Sequence, residues 1–280
     1  MGRLITCVLV SSCLALSACM SESVSESASA TTAAEQTQTL RIAAAANLSD
    51  VLPAIVEGYK TDKDLPNQDI EITFASSGKL YAQIIAGAPY DIFLSANQDF
   101  PAKLADDGAQ SKQAHKPFTY AQGQLALYST TQSLATQSYE TVAEALNSAL
   151  DSKITIANPE LAPYGASAKS YLQSISMSQP QSLYDALEQQ QRLIQAENIG
   201  QAFQYAHTGS VDYGFVAQSQ ITAIKAAPRQ FITLAPGSYP AILQDGIIVS
   251  ESSTAAEFVD YLRSDVGQQY FLQAGYLNTQ

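Results

Sequence analysis

The stretch EITFASSGKLYAQI, beginning at Glu71, sets two hydroxyls and a glycine where one periodicity gives way to another. Ile72, Thr73 and Phe74 read as a strand, whereas Leu80, Tyr81, Ile84 and Ile85 recur at helical spacing. Ser76 and Ser77 can do one of two things at such a junction. A serine at a helix start accepts a hydrogen bond from a first-turn N–H and caps the helix. Alternatively, the exposed N–H groups and the hydroxyls together receive an anion. One turn alone does not decide between them.

The same handover recurs along the chain. Asn47 follows a short strand over 40–43, Pro163-Tyr164-Gly165 follow a strand over 153–157, and a helical stripe opens near Ile199 after Glu197-Asn198. Helix N-termini carry fixed partial positive charge. Several of them facing one cleft would make an anion site without a single cation.

Other chemistries lack their residues. There is no phosphate-loop, dinucleotide-binding or zinc-protease motif, and Gly165-Ala166-Ser167-Ala168 runs on to Lys169 rather than completing a nucleophile elbow. Only His115 and His207 offer imidazole bases. The first sits in the polar run SKQAHKP and the second ends a helical stripe, so they read as a solvated loop residue and a helix-end charge. A hydrolase built on Ser77 or Ser167 therefore has no well-placed base. Lys79 reads as a solvated first-turn residue, because the N–H groups already supply donors.

The elements that must position these turns alternate between strand and helix, which argues for an α/β protein with mostly parallel sheets. In such sheets ligands sit beyond the carboxyl ends of the strands. Further helices are expected from Ser49, over 138–150 and, at the C-terminus, over 255–274. A chain of 280 residues suits two lobes. Its formal net charge of -12 makes nucleic acid a poor partner.

The first residues read as a leader. An apolar run follows Arg3 and ends Leu16-Ser17-Ala18-Cys19, similar to the lipobox of bacterial lipoproteins, in which the cysteine is acylated. The three cysteines (Cys7, Cys13, Cys19) all lie in this region, so no disulfide or thiolate metal site is expected in the folded part. Residues 1–18 are read as signal peptide and 19–39, rich in Ser, Thr and Ala, as a flexible tether from a lipidated Cys19.

Taken together, AAAANLSDVLPAI, FASSGKLYAQIIAGAPYDIFLSA, FTYAQGQLALYS, ITIANPELAPYGASAKSYL, ENIGQAFQYAHTGSVDYGFVAQSQ and YPAILQDGIIVS resemble the periplasmic molybdate-binding protein of the molybdate ABC transporter. They occur in that family's order and span essentially all of residues 40–276. The resemblance implies a two-lobed, hinged solute-binding fold, each lobe a mostly parallel sheet flanked by helices, joined by two crossover strands. Lobe I would comprise 40–124 plus 235–280 and lobe II 125–234.

It also implies a receptor at the extracytoplasmic face, without enzymatic activity or cofactor, that passes molybdate or tungstate to a membrane permease; the lipobox-like Cys19 would anchor it by lipid, and it is expected to be a monomer. Carried over by position, the oxyanion contacts fall on Asn47, Ser77, Tyr164 and the backbone of Ile199. Ala46 and Ser76 are neighbours with N–H groups to donate. Relatives with Gly-Ile-Val-Tyr at one strand end place a tyrosine hydroxyl on the anion, whereas here Gly214-Phe215-Val216 leads to Ala217. Asn47 or Tyr164 is then the source of the missing side-chain donor. The same fold binding sulfate or another tetrahedral oxyanion is the alternative, with a serine hydrolase more remote.

Overall fold

The computed structural model describes residues 39–108, 116–134, 146, 151–176 and 181–279. The leader, Cys19, the tether through residue 38 and His115 fall outside these residues, as does the helix expected over 138–150 apart from Leu146.

Two five-stranded sheets share one plan. The first has order β2-β1-β3-β10-β4, from Ile70–Ala75, Leu40–Ala45, Ile92–Leu94, Ile242–Ile248 and Phe118–Gly123. The second has order β7-β6-β8-β5-β9, from Leu193–Ala196, Ile154–Ala157, Tyr213–Ala217, Leu125–Tyr128 and Phe231–Thr233. In each, three neighbouring strands are parallel and the other two join through antiparallel pairings, so the sheets are mixed where alternation of strand and helix suggested mostly parallel ones. The antiparallel strands are where the chain changes sheet. It leaves the first at Gln124, between β4 and β5, and returns over 234–241, between β9 and β10.

Nine helices flank the sheets among the described residues: α1 Leu52–Asp62, α2 Ser77–Ile85, α3 Asp99–Gly108, α4 Pro163–Ser174, α5 Leu183–Gln189, α6 Ile199–His207, α7 Gln218–Ala223, α8 Ser253–Arg263 and α9 Asp265–Gln273. Central strand β1 buries Leu40, Ile42, Ala43, Ala44 and Ala45, so both its faces are covered. Its three consecutive alanines leave room at the strand's carboxyl end.

Two helices depart from the expected limits. The first starts at Leu52 rather than Ser49, because Asn47 and Leu48 are both drawn inside and the chain spans 46–48 as a short 3-10 turn. The helix expected over 255–274 is two helices. Ser264 adopts extended backbone (φ -67°, ψ 163°) and its side chain accepts from the Gly267 N–H at 3.2 Å, capping α9.

Candidate functional site

Five strand ends converge where the sheets face each other. Ala45 to Asn47 follow β1, Ala75 to Ser77 follow β2, and Ala96 lies just beyond β3. From the other sheet come Ala162 to Tyr164 beyond β6, and Asn198 and Ile199 beyond β7. Together they line a small cavity of about 10 Å³, roughly the room that one water needs. All six positions singled out from sequence, Ala46, Asn47, Ser76, Ser77, Tyr164 and Ile199, line this one cavity. Among the described residues, no Lys, Arg, His, Asp or Glu does.

The serines answer the question of cap against cradle. Ser76 occupies the N-cap position of α2 but makes no side-chain cap bond, and its Oγ is buried without a partner. Ser77 Oγ accepts the Ala96 N–H at 3.0 Å, which leaves its own proton without an acceptor among the described residues. Neither hydroxyl caps the helix. The first-turn N–H groups of α2, α4 and α6 have no partner inside their helices. Asn198 caps α6 by accepting from the Gln201 N–H at 3.0 Å, which spares the N–H of Ile199 at the cavity.

Gly165 lets α4 come close enough. A Cβ there would collide with the Ala157 carbonyl at the end of β6, so only glycine brings the helix start against the strand end.

Behind the cavity lies a buried polar group that sequence reasoning passed over. Gln244 on β10 is fully buried, with Oε1 2.9 Å from Asn47 Nδ2 and Nε2 3.2 Å from the Tyr164 hydroxyl. Tyr276 places its hydroxyl 3.0 Å from Asn47 Nδ2 and donates to the Asn47 carbonyl at 2.8 Å. Asn47 Oδ1 remains buried and unpartnered. The Tyr164 hydroxyl fits because Gly123 has no side chain, since a Cβ there would strike it. Burial pushes the Tyr120, Tyr164 and Tyr276 hydroxyls above the ordinary phenol value, keeping all three neutral donors. A signal for Gln244 was present in the run AILQDGII, because a polar residue in an apolar strand must find buried partners.

The two sheets are held together around the cavity. The Gly78 N–H donates to the Leu161 carbonyl at 2.9 Å, and Ser219 Oγ donates to the Asn47 carbonyl at 3.2 Å. Lys79 is exposed at the surface, as read from the sequence, and also reaches across to Glu197 at 2.7 Å. His207 ends α6 as expected, its Nδ1 2.9 Å from the Tyr128 hydroxyl, and Ser167 donates to the Pro240 carbonyl at 3.2 Å. Ala217 does not line the cavity; its N–H donates to Gln220 Oε1 at 3.0 Å.

Two mixed sheets closed over a small cavity of neutral donors define a two-lobed solute-binding protein. The chain belongs to the bacterial extracellular solute-binding protein family, whose model matches residues 40–277. Membership assigns its work to the outside of the cytoplasm. A molybdate-binding protein ModA of Rhodobacter capsulatus is 30% identical over 238 residues, covering 84% of this chain and 86% of that one. The putative ABC transporter substrate-binding lipoprotein YvgL of Bacillus subtilis is 30% identical over 245 residues, covering 87% and 88%. Among solved structures, the periplasmic molybdate-binding protein of Azotobacter vinelandii superposes with a TM-score of 0.75 at 29% identity, covering 86% of this chain and all of that one.

Proposed function

We propose that the protein is an extracytoplasmic receptor that closes on molybdate or tungstate and delivers it to an ABC permease. Asn47, Ser77, Tyr164 and the Ile199 N–H are the contacts, with Ala46 and Ser76 beside them. Lobe I comprises 40–124 plus 235–280 and lobe II 125–234, and acylated Cys19 anchors a monomer to the membrane. The observation carrying this reading is the cavity itself: compact, without a charged side chain, and lined by hydroxyl and N–H groups whose protons lack protein acceptors.

Molybdate is a tetrahedral dianion that accepts hydrogen bonds and donates none. Hydroxyl and N–H donors without a charged neighbour match it, and hydrogen phosphate, which must also place a proton, needs an acceptor that a pocket turned wholly to donation withholds. Sulfate presents the same pattern in a smaller body, so cavity size alone separates it from molybdate. Burial strengthens each contact by excluding water. The related proteins named for molybdate support the same choice.

The test is thermal unfolding with molybdate, tungstate, sulfate and phosphate added separately. Ligand at ~1,000 times its dissociation constant adds about 4 kcal/mol, or roughly 8–16 °C for a chain of this size. A shift with molybdate and tungstate alone is expected. A shift with sulfate would change the ligand, and none with any anion would refute the reading.

A further inference from the structure

An amide can exchange nitrogen and oxygen by a half-turn without moving its other atoms, so Asn47 and Gln244 admit two proton arrangements. In the first, Asn47 Nδ2 donates to Gln244 Oε1 at 2.9 Å and Gln244 Nε2 donates to the Tyr164 hydroxyl at 3.2 Å. Asn47 Oδ1 is then the buried, partnerless atom. Tyr120 carries one hydroxyl proton, yet Ser95 O at 2.8 Å and Gln244 Oε1 at 3.0 Å both lie within its reach.

In the second arrangement both amides are reversed. Gln244 Nε2 donates to Asn47 Oδ1 and to the Tyr120 oxygen, freeing the Tyr120 proton for Ser95 alone. Tyr164 now donates to Gln244 Oε1, and the proton of Tyr276 is shared between the two oxygens of Asn47. The partnerless group of Asn47 becomes its NH₂. The first leaves the Tyr120 proton contested and the Tyr164 proton without an acceptor among the described residues, and the second leaves the Tyr276 proton contested, so neither satisfies every group. What occupies the cavity decides.

We propose that Gln244 is the positioning residue of the site: it lets Asn47 offer its carbonyl to an empty cavity and its NH₂ to an acceptor-only anion. The reversal reaches the other lobe, because the same turn of Gln244 changes Tyr164 from acceptor to donor. This rests on the oxyanion reading above and explains how Asn47 supplies the side-chain donor that Ala217 does not. Gln244 never touches the ligand.

The experiment is a double-mutant cycle by calorimetric titration with molybdate and with sulfate, using Gln244→Met, Asn47→Ala and the double variant. Gln244→Met is expected to weaken binding about 10- to 100-fold, the worth of one oriented bond to an anion. In the Asn47→Ala background the same change should cost at least about fivefold less, because only the part exerted through Tyr164 remains. Unchanged affinity in Gln244→Met, or an equal loss with and without Asn47, overturns the proposal. Gln244→Glu provides a second route should the methionine variant not fold. Ionised, its carboxylate only accepts, so it holds the Asn47 NH₂ towards itself and the carbonyl towards the cavity; acidification protonates it and should restore binding more in the Asn47 background than in Asn47→Ala, where only the repulsion of the anion is relieved. Affinity independent of pH in that variant also overturns the proposal. A wild-type chain that binds neither anion refutes the oxyanion reading itself, and this inference with it.

Discussion

Replacing Ser77 with Ala separates the two tasks of one oxygen. Its Oγ accepts the Ala96 N–H at 3.0 Å, and its proton, which has no acceptor among the described residues, is the one proposed to meet the anion. Losing the acceptor leaves a buried N–H unpaired, at about 1–3 kcal/mol in the empty protein. At roughly 2–4 °C per kcal/mol this lowers the apo unfolding midpoint by about 2–12 °C. Losing the donor removes a hydrogen bond to a charged group, about 1.5–3 kcal/mol, which weakens the dissociation constant about 10- to 150-fold. Thermal unfolding without ligand reads the first effect and calorimetric titration with molybdate the second. Ser76→Ala is the control: its Oγ has no partner to lose, so the apo midpoint should hold or rise. A Ser77→Ala protein that binds within about twofold of wild type while melting lower would refute the reasoning. The Ser-Ser-Gly turn would then brace the loop at Ala96 and nothing more.

Lys79→Ala should change molybdate affinity by less than about fivefold, because its pair with Glu197 is half exposed and such pairs contribute about 0–1 kcal/mol; a larger loss in titration would make the cross-lobe pair a principal latch. The pH dependence of stability follows from the tyrosines. Tyr120, Tyr164 and Tyr276 have folded pKa values raised by burial, so on alkalinisation the unfolded chain loses its protons first. Their contribution is complete below the unfolded value of about 10 and declines as pH rises above it towards the folded values. Chemical denaturation should therefore show stability falling from about pH 10 upward; constant stability there would show that these hydroxyls ionise freely in the fold.

The turns themselves were legible because each obeys a local rule. Ser76-Ser77-Gly78, Asn47, Pro163-Tyr164-Gly165 and Ile199 all mark places where strand periodicity ends and helix periodicity begins, and short-range sterics write that change into adjacent residues. Several short elements left no such mark. Strand β4 reads FTYAQG, with little alternation, and β9 has three residues. Their positions depend on pairing with β10 and β5, which lie far along the chain. The break at Ser264 was hidden because apolar spacing continues through it, whereas the cap bond to Gly267 follows from packing.

From the amino-acid sequence alone came the α/β alternation, the donor-rich turns, the absence of charged or catalytic clusters and the family resemblance. Those are properties of neighbouring residues, where backbone sterics, capping and composition act over a few positions. The enclosure of the cavity and the partnership of Gln244 with Asn47 and Tyr164 were decided only in three dimensions. Asn47 and Gln244 lie 197 residues apart, and Gln244 and Tyr164 lie 80 apart. No local rule links such positions; burial brings them together, and a buried amide must then find partners for both its ends.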